Sequence, residues 1–396
     1  MNKRITLGAA VAVAGIFAVP SLASADSTCV YDAANKRATI QLANPNFGST
    51  TIIRPGFLPT GSIGVADGNG GFRSCPAPGS TTEFATTFNI DRLTVKGSPG
   101  FESVELNEGF NLGFAPGATP EPTGKSGVLV ALTTGTGGDH LRVVGTPFDD
   151  AFSAYGSTFG GQVDLDNDGD TDAAMTNPAR ITLHGGTNGN DRLAAMSVFG
   201  QKATLPVTLD AGAGNDTMFG GDANDLMLGG DGNDFVNSVG GGADVMTGDA
   251  GTDTVFVDSS DTVSTVESKT VLVGKLGGSA KTITGDAGAT VSLPLTWTHP
   301  QAWKQLRSIE ALMYDGAEQV GSAKLTPAGA VSATGSVSIT KRATTISHRG
   351  RTVTATLGLR FAKSLKGQTL SVDIAATDRK GHRQLQTAAR SIRLNP

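Results

Sequence analysis

Between Leu209 and Phe256 the apolar positions keep a beat. Met218, Met227, Val236, Met246 and Val255 each stand at the eighth place of a nine-residue phrase, behind a run of glycine, asparagine and aspartate. The clearest copies are Ala211-Gly212-Ala213-Gly214-Asn215-Asp216-Thr217-Met218-Phe219, then Gly220 to Leu228, then Gly229 to Asn237. Two looser copies centre on Asp244 and Asp253. A flexible linker has no reason to hold apolar residues in phase, whereas six turn residues followed by a three-residue strand would bury one apolar side chain per copy. If two copies make one coil, alternate copies stack. Asp216, Asp234 and Asp253 then line one edge, and Asp225 and Asp244 the other.

Each copy fits G-G-x-G-x-D-x-U-x, with U a large apolar residue, and so resembles the hemolysin-type calcium-binding repeat, or RTX, family. The resemblance implies a right-handed parallel β-roll, a β-solenoid that folds when calcium is present. It also places Asp216, Asp225, Asp234, Asp244 and Asp253 at the family's ligand position. The chemistry agrees. Gly212, Gly214, Gly221, Gly230 and Gly232 let the turns reach backbone angles closed to other residues, leaving carbonyl oxygens aimed at one spot. Hard oxygen donors in a pliable frame suit Ca²⁺, and no sulfur or imidazole is at hand for a transition metal. Ser238 lengthens the fourth copy, Val239 replaces its first glycine, and Ala223 replaces a glycine of the second. Weaker or missing ions are expected at those turns.

Earlier in the chain the phrase is worn. Gly97 to Val104, Gly135 to Leu141, Gly145 to Phe152 and Gly185 to Leu193 keep its turn residues without its spacing, and they predict coils that begin before the regular copies. The likeness to secreted bacterial RTX-repeat proteins runs from about Cys29 to Glu267 and includes Gly113 to Glu121. Short strands are expected at Cys29 to Tyr31, Ala38 to Leu42, Phe84 to Ile90, Leu93 to Lys96, Val104 to Leu106 and Val128 to Leu132. One insertion has its own pattern: Asp164, Asp166, Asp168, Asp170 and Asp172 alternate around Gly169 as D-x-D-x-D-G-x-x-D. This resembles the calcium loops of integrin-type propellers. Five carboxylates so close together repel one another unless a cation sits among them. The twelfth place is Met175, not the Glu of an EF-hand, which argues against helix-loop-helix.

Composition changes the picture at both ends. Lys3 and Arg4, an apolar run to Leu22 and Ala23-Ser24-Ala25 predict a cleaved export signal over residues 1–25 and a secreted, extracellular, bacterial protein. That signal departs from the RTX habit of an uncleaved C-terminal one. No later stretch is long and apolar enough to span a bilayer. Export makes a disulfide between Cys29 and Cys75 the natural reading. With 54 glycines and 6% aromatic residues the chain is thin for a compact globule but ordinary for stacked coils. Through Ser268 there are 30 acidic and 13 basic side chains, and beyond it 6 and 18. Such a reversal marks a domain boundary.

The expected organisation is therefore a β-rich cap with degenerate coils over 26–133, the calcium-binding roll over 134–268 and a basic region over 269–396. Alternating strands at Thr290 to Thr298, Ser308 to Met313, Ala330 to Ile339, Thr352 to Phe361, Thr369 to Ala376 and Leu385 to Leu394 predict an antiparallel, immunoglobulin-like β-sandwich there, with a short helix near Trp303. The fold class is all-β. This last part either hides the end of the roll or presents Arg349, Arg351, Arg379, Lys380 and Arg383 to an anionic cell-surface polymer. No aromatic residues interleave those charges, so specific nucleic-acid binding is not expected.

Enzyme chemistry finds little footing. The histidines are scattered, with no H-E-x-x-H pair, and no G-x-S-x-G elbow occurs. His140 and His184 fall in worn repeat turns. The reading is a non-enzymatic protein; the alternative is an extracellular carbohydrate-active enzyme or adhesin using a solenoid face.

Overall fold

The computed structural model describes residues 27–42, 50–55, 62–66, 72–97, 103–107, 119, 127–135, 138–277 and 282–396. The export segment and most of Gly113 to Glu121 lie outside them. The described residues are all strands, turns and three short 3-10 helices, and none of them forms an α-helix.

Past Asp139 the strands enter two sheets in turn. Pro178–His184, Val207–Ala213, Leu226–Asp231, Val245–Ala250 and Thr262–Ser264 run parallel in one sheet. Arg192–Ala194, Thr217–Phe219, Phe235–Asn237, Thr254–Val257 and Ser268–Val271 run parallel in the other. The register explains the nine-residue beat. Leu209 pairs with Met227 and Met227 with Met246, while Met218 pairs with Val236 and Val236 with Val255. All five eighth-place side chains are buried in one continuous core shared by the sheets. A one-residue slip would turn that column to solvent, so apolar burial fixes the register as firmly as the amide ladder does.

Toward the start, the same two sheets continue through Leu129–Thr133, Arg92–Lys96 and Arg37–Gln41 on one side and Asp139–Val144, Ser103–Asn107 and Thr50–Pro55 on the other. An antiparallel excursion, Ala151–Ser157, Gly160–Asp164 and Ala173–Thr176, is spliced into the first of these sheets. Its last two strands are joined by the aspartate-rich loop. Cys29 and Cys75 are disulfide-bonded, tying the outermost strand to the chain after Phe72–Ser74. The strand expected at Phe84 to Ile90 is not formed. Asn89 folds back instead, accepting from the Thr86 amide at 2.7 Å and donating to the Phe84 carbonyl at 2.9 Å, and only isolated bridges remain at Phe84 and Thr86. Asparagine competing locally for backbone groups is a turn former.

Beyond Val273 a second core begins. Lys275–Leu276, Thr290–Thr298, Thr352–Phe361, Val337–Ile339 and Thr345–Arg349 form one sheet. Thr282–Asp286, Arg383–Asn395, Thr369–Asp378, Leu306–Asp315, Glu318–Leu325 and Val331–Gly335 form another. Pairing is antiparallel except between Thr282–Asp286 and Arg383–Asn395. Trp297, Leu357, Phe361 and Ile374 are among the side chains the two sheets bury together. The helix near Trp303 is a single 3-10 turn, Trp303–Gln305.

Candidate metal centre

The sixth-place aspartates stand in two columns, each knitted by the same hydrogen bond. In the first column the Asp191 amide donates to Oδ1 of Asp216 at 2.6 Å, Asp216 to Asp234 at 2.8 Å, and Asp234 to Asp253 at 2.9 Å. The chain of bonds extends back to Asp150, whose amide reaches Asp191, and forward to Glu267, which accepts from Asp253. In the second column Val207 donates to Asp225, Asp225 to Asp244 and Asp244 to Asp261. These bonds take one carboxylate oxygen each. Oδ2 of Asp191, Asp216, Asp234 and Asp253, and of Asp244 in the second column, is buried without a protein partner. An unsatisfied buried acceptor costs about 1–3 kcal/mol, and more if charged.

Beside these orphan oxygens the backbone leaves a cradle. A Cβ built on Gly229 would collide with Oδ2 of Asp234 and lie 2.7 Å from the Gly248 carbonyl oxygen of the next coil. At Gly185 it would collide with Oδ2 of Asp191 and lie 2.6 Å from the Ala211 carbonyl oxygen, and at Gly248 it would meet Oδ2 of Asp253 and the Thr265 carbonyl. The first glycine of the phrase is thus bare because carboxylate and carbonyl oxygens converge where its side chain would be. Farther round the turn the constraint is conformational. Gly214 and Gly232 have φ of +143° and +135°, and a Cβ on either would strike a carbonyl of the preceding coil. Gly212 and Gly230 are also left-handed. Gly221 differs, since its φ is not positive; it is glycine because the Ala203 and Ala195 carbonyl oxygens press within 2.8 Å and 3.0 Å of its missing Cβ.

Charge in such a place is expensive. Burial, reinforced by neighbouring carboxylates, pushes the Asp191 and Asp244 carboxyls up to about 8 and that of Asp234 up to about 6. Burial likewise raises Asp225 to about 6, with the Lys202 ammonium working against it. Near neutral pH the Asp191 and Asp244 carboxyls keep their protons unless a cation arrives. A buried oxygen with no donor, set against backbone carbonyls, is a donor set that fits a hard divalent ion.

A second cluster lies in the spliced loop. Ligand oxygens of Asp164, Asp166 and Asp172 come within 4.8 Å of one another. Asp168 and Asp170 are not part of that group. Asp164 is held by the amides of Asn167 at 2.6 Å and Gly169 at 3.0 Å, and Asp172 by that of Leu165 at 2.7 Å. Burial raises Asp172 to about 7. Gly169 is left-handed at +103°, and Phe199 and Val198 pack over it.

Several participants escaped the sequence reading. Asn190, Asn215 and Asn233 form a third ladder, each accepting the amide of the next coil, through Asn215 at 2.9 Å, Asn233 at 2.8 Å and Thr252 at 2.8 Å. The signal was present as an asparagine immediately before Asp191, Asp216, Asp225 and Asp234. His140 and His184 lie in strands, not in turns. His140 is bonded to Thr182 at 2.9 Å, and burial lowers it to about 4. Of the five basic residues proposed to face a polymer, three are engaged within the chain: Arg351 on the Pro300 carbonyl, Arg383 with Glu310 at 3.8 Å and Lys380 on the Ser259 carbonyl.

The described residues are all-β, with the aspartates of the repeats stacked in two ladders. Residues 208–236 and 238–261 match the RTX calcium-binding nonapeptide repeat in four copies. No curated protein and no solved structure is significantly similar to the chain. No helix among the described residues is long and apolar enough to cross a membrane.

Proposed function

We propose that this is an exported, non-enzymatic calcium-binding protein whose repeats form a right-handed β-roll completed by external calcium. The C-terminal strands form a β-sandwich that covers the last coil. One observation carries the reading: the buried Oδ2 atoms of Asp191, Asp216, Asp234 and Asp253 recur coil after coil with no donor, and glycine cradles flank those of Asp191, Asp234 and Asp253. Bound calcium would supply the positive charge that these oxygens lack. The chain does the rest. Oδ1 of each aspartate accepts an amide of the preceding coil and locks it in register, the glycines admit the carbonyls, and the methionine and valine column keeps water from the other side. Asp216, Asp234 and Asp253 are the ligands of the first edge and Asp244 of the second. Asp164, Asp166 and Asp172 make a separate site in the spliced loop. Because an unfolded chain offers no such site, binding free energy becomes folding free energy.

The C-terminal part supports this by contact. Gln301 donates to Asp258 at 2.9 Å and Lys380 to the Ser259 carbonyl, both in the turn that ends the second column. Arg349 and Arg379 are left as the residues that would meet an anionic surface. The test is a calcium titration of the mature chain, followed by circular dichroism with a count of bound ions. Strand signal and melting temperature should rise together as several ions bind. Unchanged strand content and melting temperature after exhaustive chelation, with no metal retained, would sink the proposal.

A further inference from the structure

The two columns are not equivalent. In the first, each aspartate keeps one oxygen without a partner. Asp225, which opens the second, has none to spare: Oδ1 accepts from Val207 at 2.9 Å and Oδ2 from Gly221 at 2.6 Å. Nor is there a cradle. The atoms nearest a Cβ on Gly220 are carbons of Ser238 and Met227, at 3.3 to 3.4 Å.

A cation nevertheless sits at this level, and it belongs to the chain. Nζ of Lys202 donates to the Gly221 carbonyl at 3.3 Å and to the Gly240 carbonyl at 3.1 Å, and stands 3.6 Å from Oδ1 of Asp222. Gly221 and Gly240 hold the second place of stacked copies, so the ammonium bridges two successive turns. Its loop is built to deliver it. Between Arg192–Ala194 and Val207–Ala213 the chain leaves the nonapeptide pattern, and Ala203 in that loop accepts the Asp222 amide at 2.7 Å, as a preceding coil would.

We propose that Lys202 is a tethered counter-ion that takes the place of calcium between the Gly221 and Gly240 turns. The inference rests on the calcium reading of the first edge. An ammonium offers a compact charge and three donors, enough for two carbonyls and a carboxylate. Being covalently attached, it needs no external ion, so this level of the second edge is closed in calcium-free solution while the first edge waits to be filled. The far end of the column is treated alike, with Lys380 on the Ser259 carbonyl. The roll therefore has a first edge that senses calcium and, at the Lys202 level of the second, a fixed charge that holds the stack for it.

The decisive comparison is the mature chain against Lys202→Met, with calcium counted per chain by native mass spectrometry. The variant should carry one more ion than the wild type. An unchanged count overturns the proposal. Should the variant fail to fold, amide exchange of the wild type in chelator decides. The Asp222 and Gly242 amides, which bond to Ala203 and Ala223, should stay protected while those of Gly214 and Gly232 exchange; equal loss on both edges is the contrary result. A wild type that binds no calcium refutes the first-edge reading instead, and the exchange comparison still decides the role of Lys202.

Discussion

Replacing Asp234 by asparagine should do opposite things with and without calcium. The substituted side chain retains an oxygen for the Asp216 amide, which donates to Asp234 at 2.8 Å, and exchanges the orphan Oδ2 for an amide that can donate toward the Gly248 carbonyl. In chelator this removes a buried unsatisfied acceptor, and the variant should be more stable than wild type by about 1–3 kcal/mol. In calcium it removes a charged ligand. One ion present at a thousand times its dissociation constant contributes about 4.1 kcal/mol, so after the gain seen in chelator is subtracted the variant should fall about 1–3 kcal/mol below wild type. Urea denaturation of both proteins in chelator and in saturating calcium reads the two differences directly. The stability order must cross. If Asp234→Asn is weaker in both solutions, the side chain is only a hydrogen-bond acceptor and its second oxygen has no ion to meet.

Other outcomes follow from the same geometry. In chelator, stability should decline as pH rises from about 4 to 8, because Asp191, Asp234 and Asp244 hold protons in the folded chain that the unfolded chain gives up near 3.8. Saturating calcium should reverse that slope, and urea midpoints at the two extremes would show it. Gly229→Ala fills the cradle against Asp234 and should cost one bound ion, whereas Gly160→Ala, with nothing within 4 Å, should shift stability by no more than about 0.5 kcal/mol. Reduction of the Cys29–Cys75 bridge, which closes a separation of 46 residues, should lower stability by about 4 kcal/mol in a calorimetric scan with and without reductant.

The nine-residue phase made the two alternating sheets readable, since a single period fixes the strand, its buried residue and the carboxylate before it. What stayed hidden depends on stacking rather than order. Lys202 lies 19 and 38 residues from the carbonyls it joins, and nothing in its own neighbourhood announces them. Glu267 ends the first column from a stretch where the phrase has already decayed. In the aspartate loop alternation suggested five carboxylates around one centre; those of Asp164, Asp166 and Asp172 lie within 4.8 Å of one another, with Asp164 held by the short bonds from Asn167 and Gly169. Strands Glu318–Leu325 and Thr345–Arg349 also went unseen, because polar residues on the exposed face dilute their alternation.

The closing strands Thr262–Ser264 and Ser268–Val271 each end a sheet, which leaves a row of backbone groups facing outward at the terminal coil. A stack of near-identical layers with a bare top invites another molecule to add itself, and so on into a fibre. Gln301, Lys380 and Gln384, whose side-chain oxygen receives the Val273 and Gly274 amides, fasten the following strands over that top. In the proposed reading growth would be halted from within the polypeptide, and the length of the stack would be written into one gene product instead of being left to concentration.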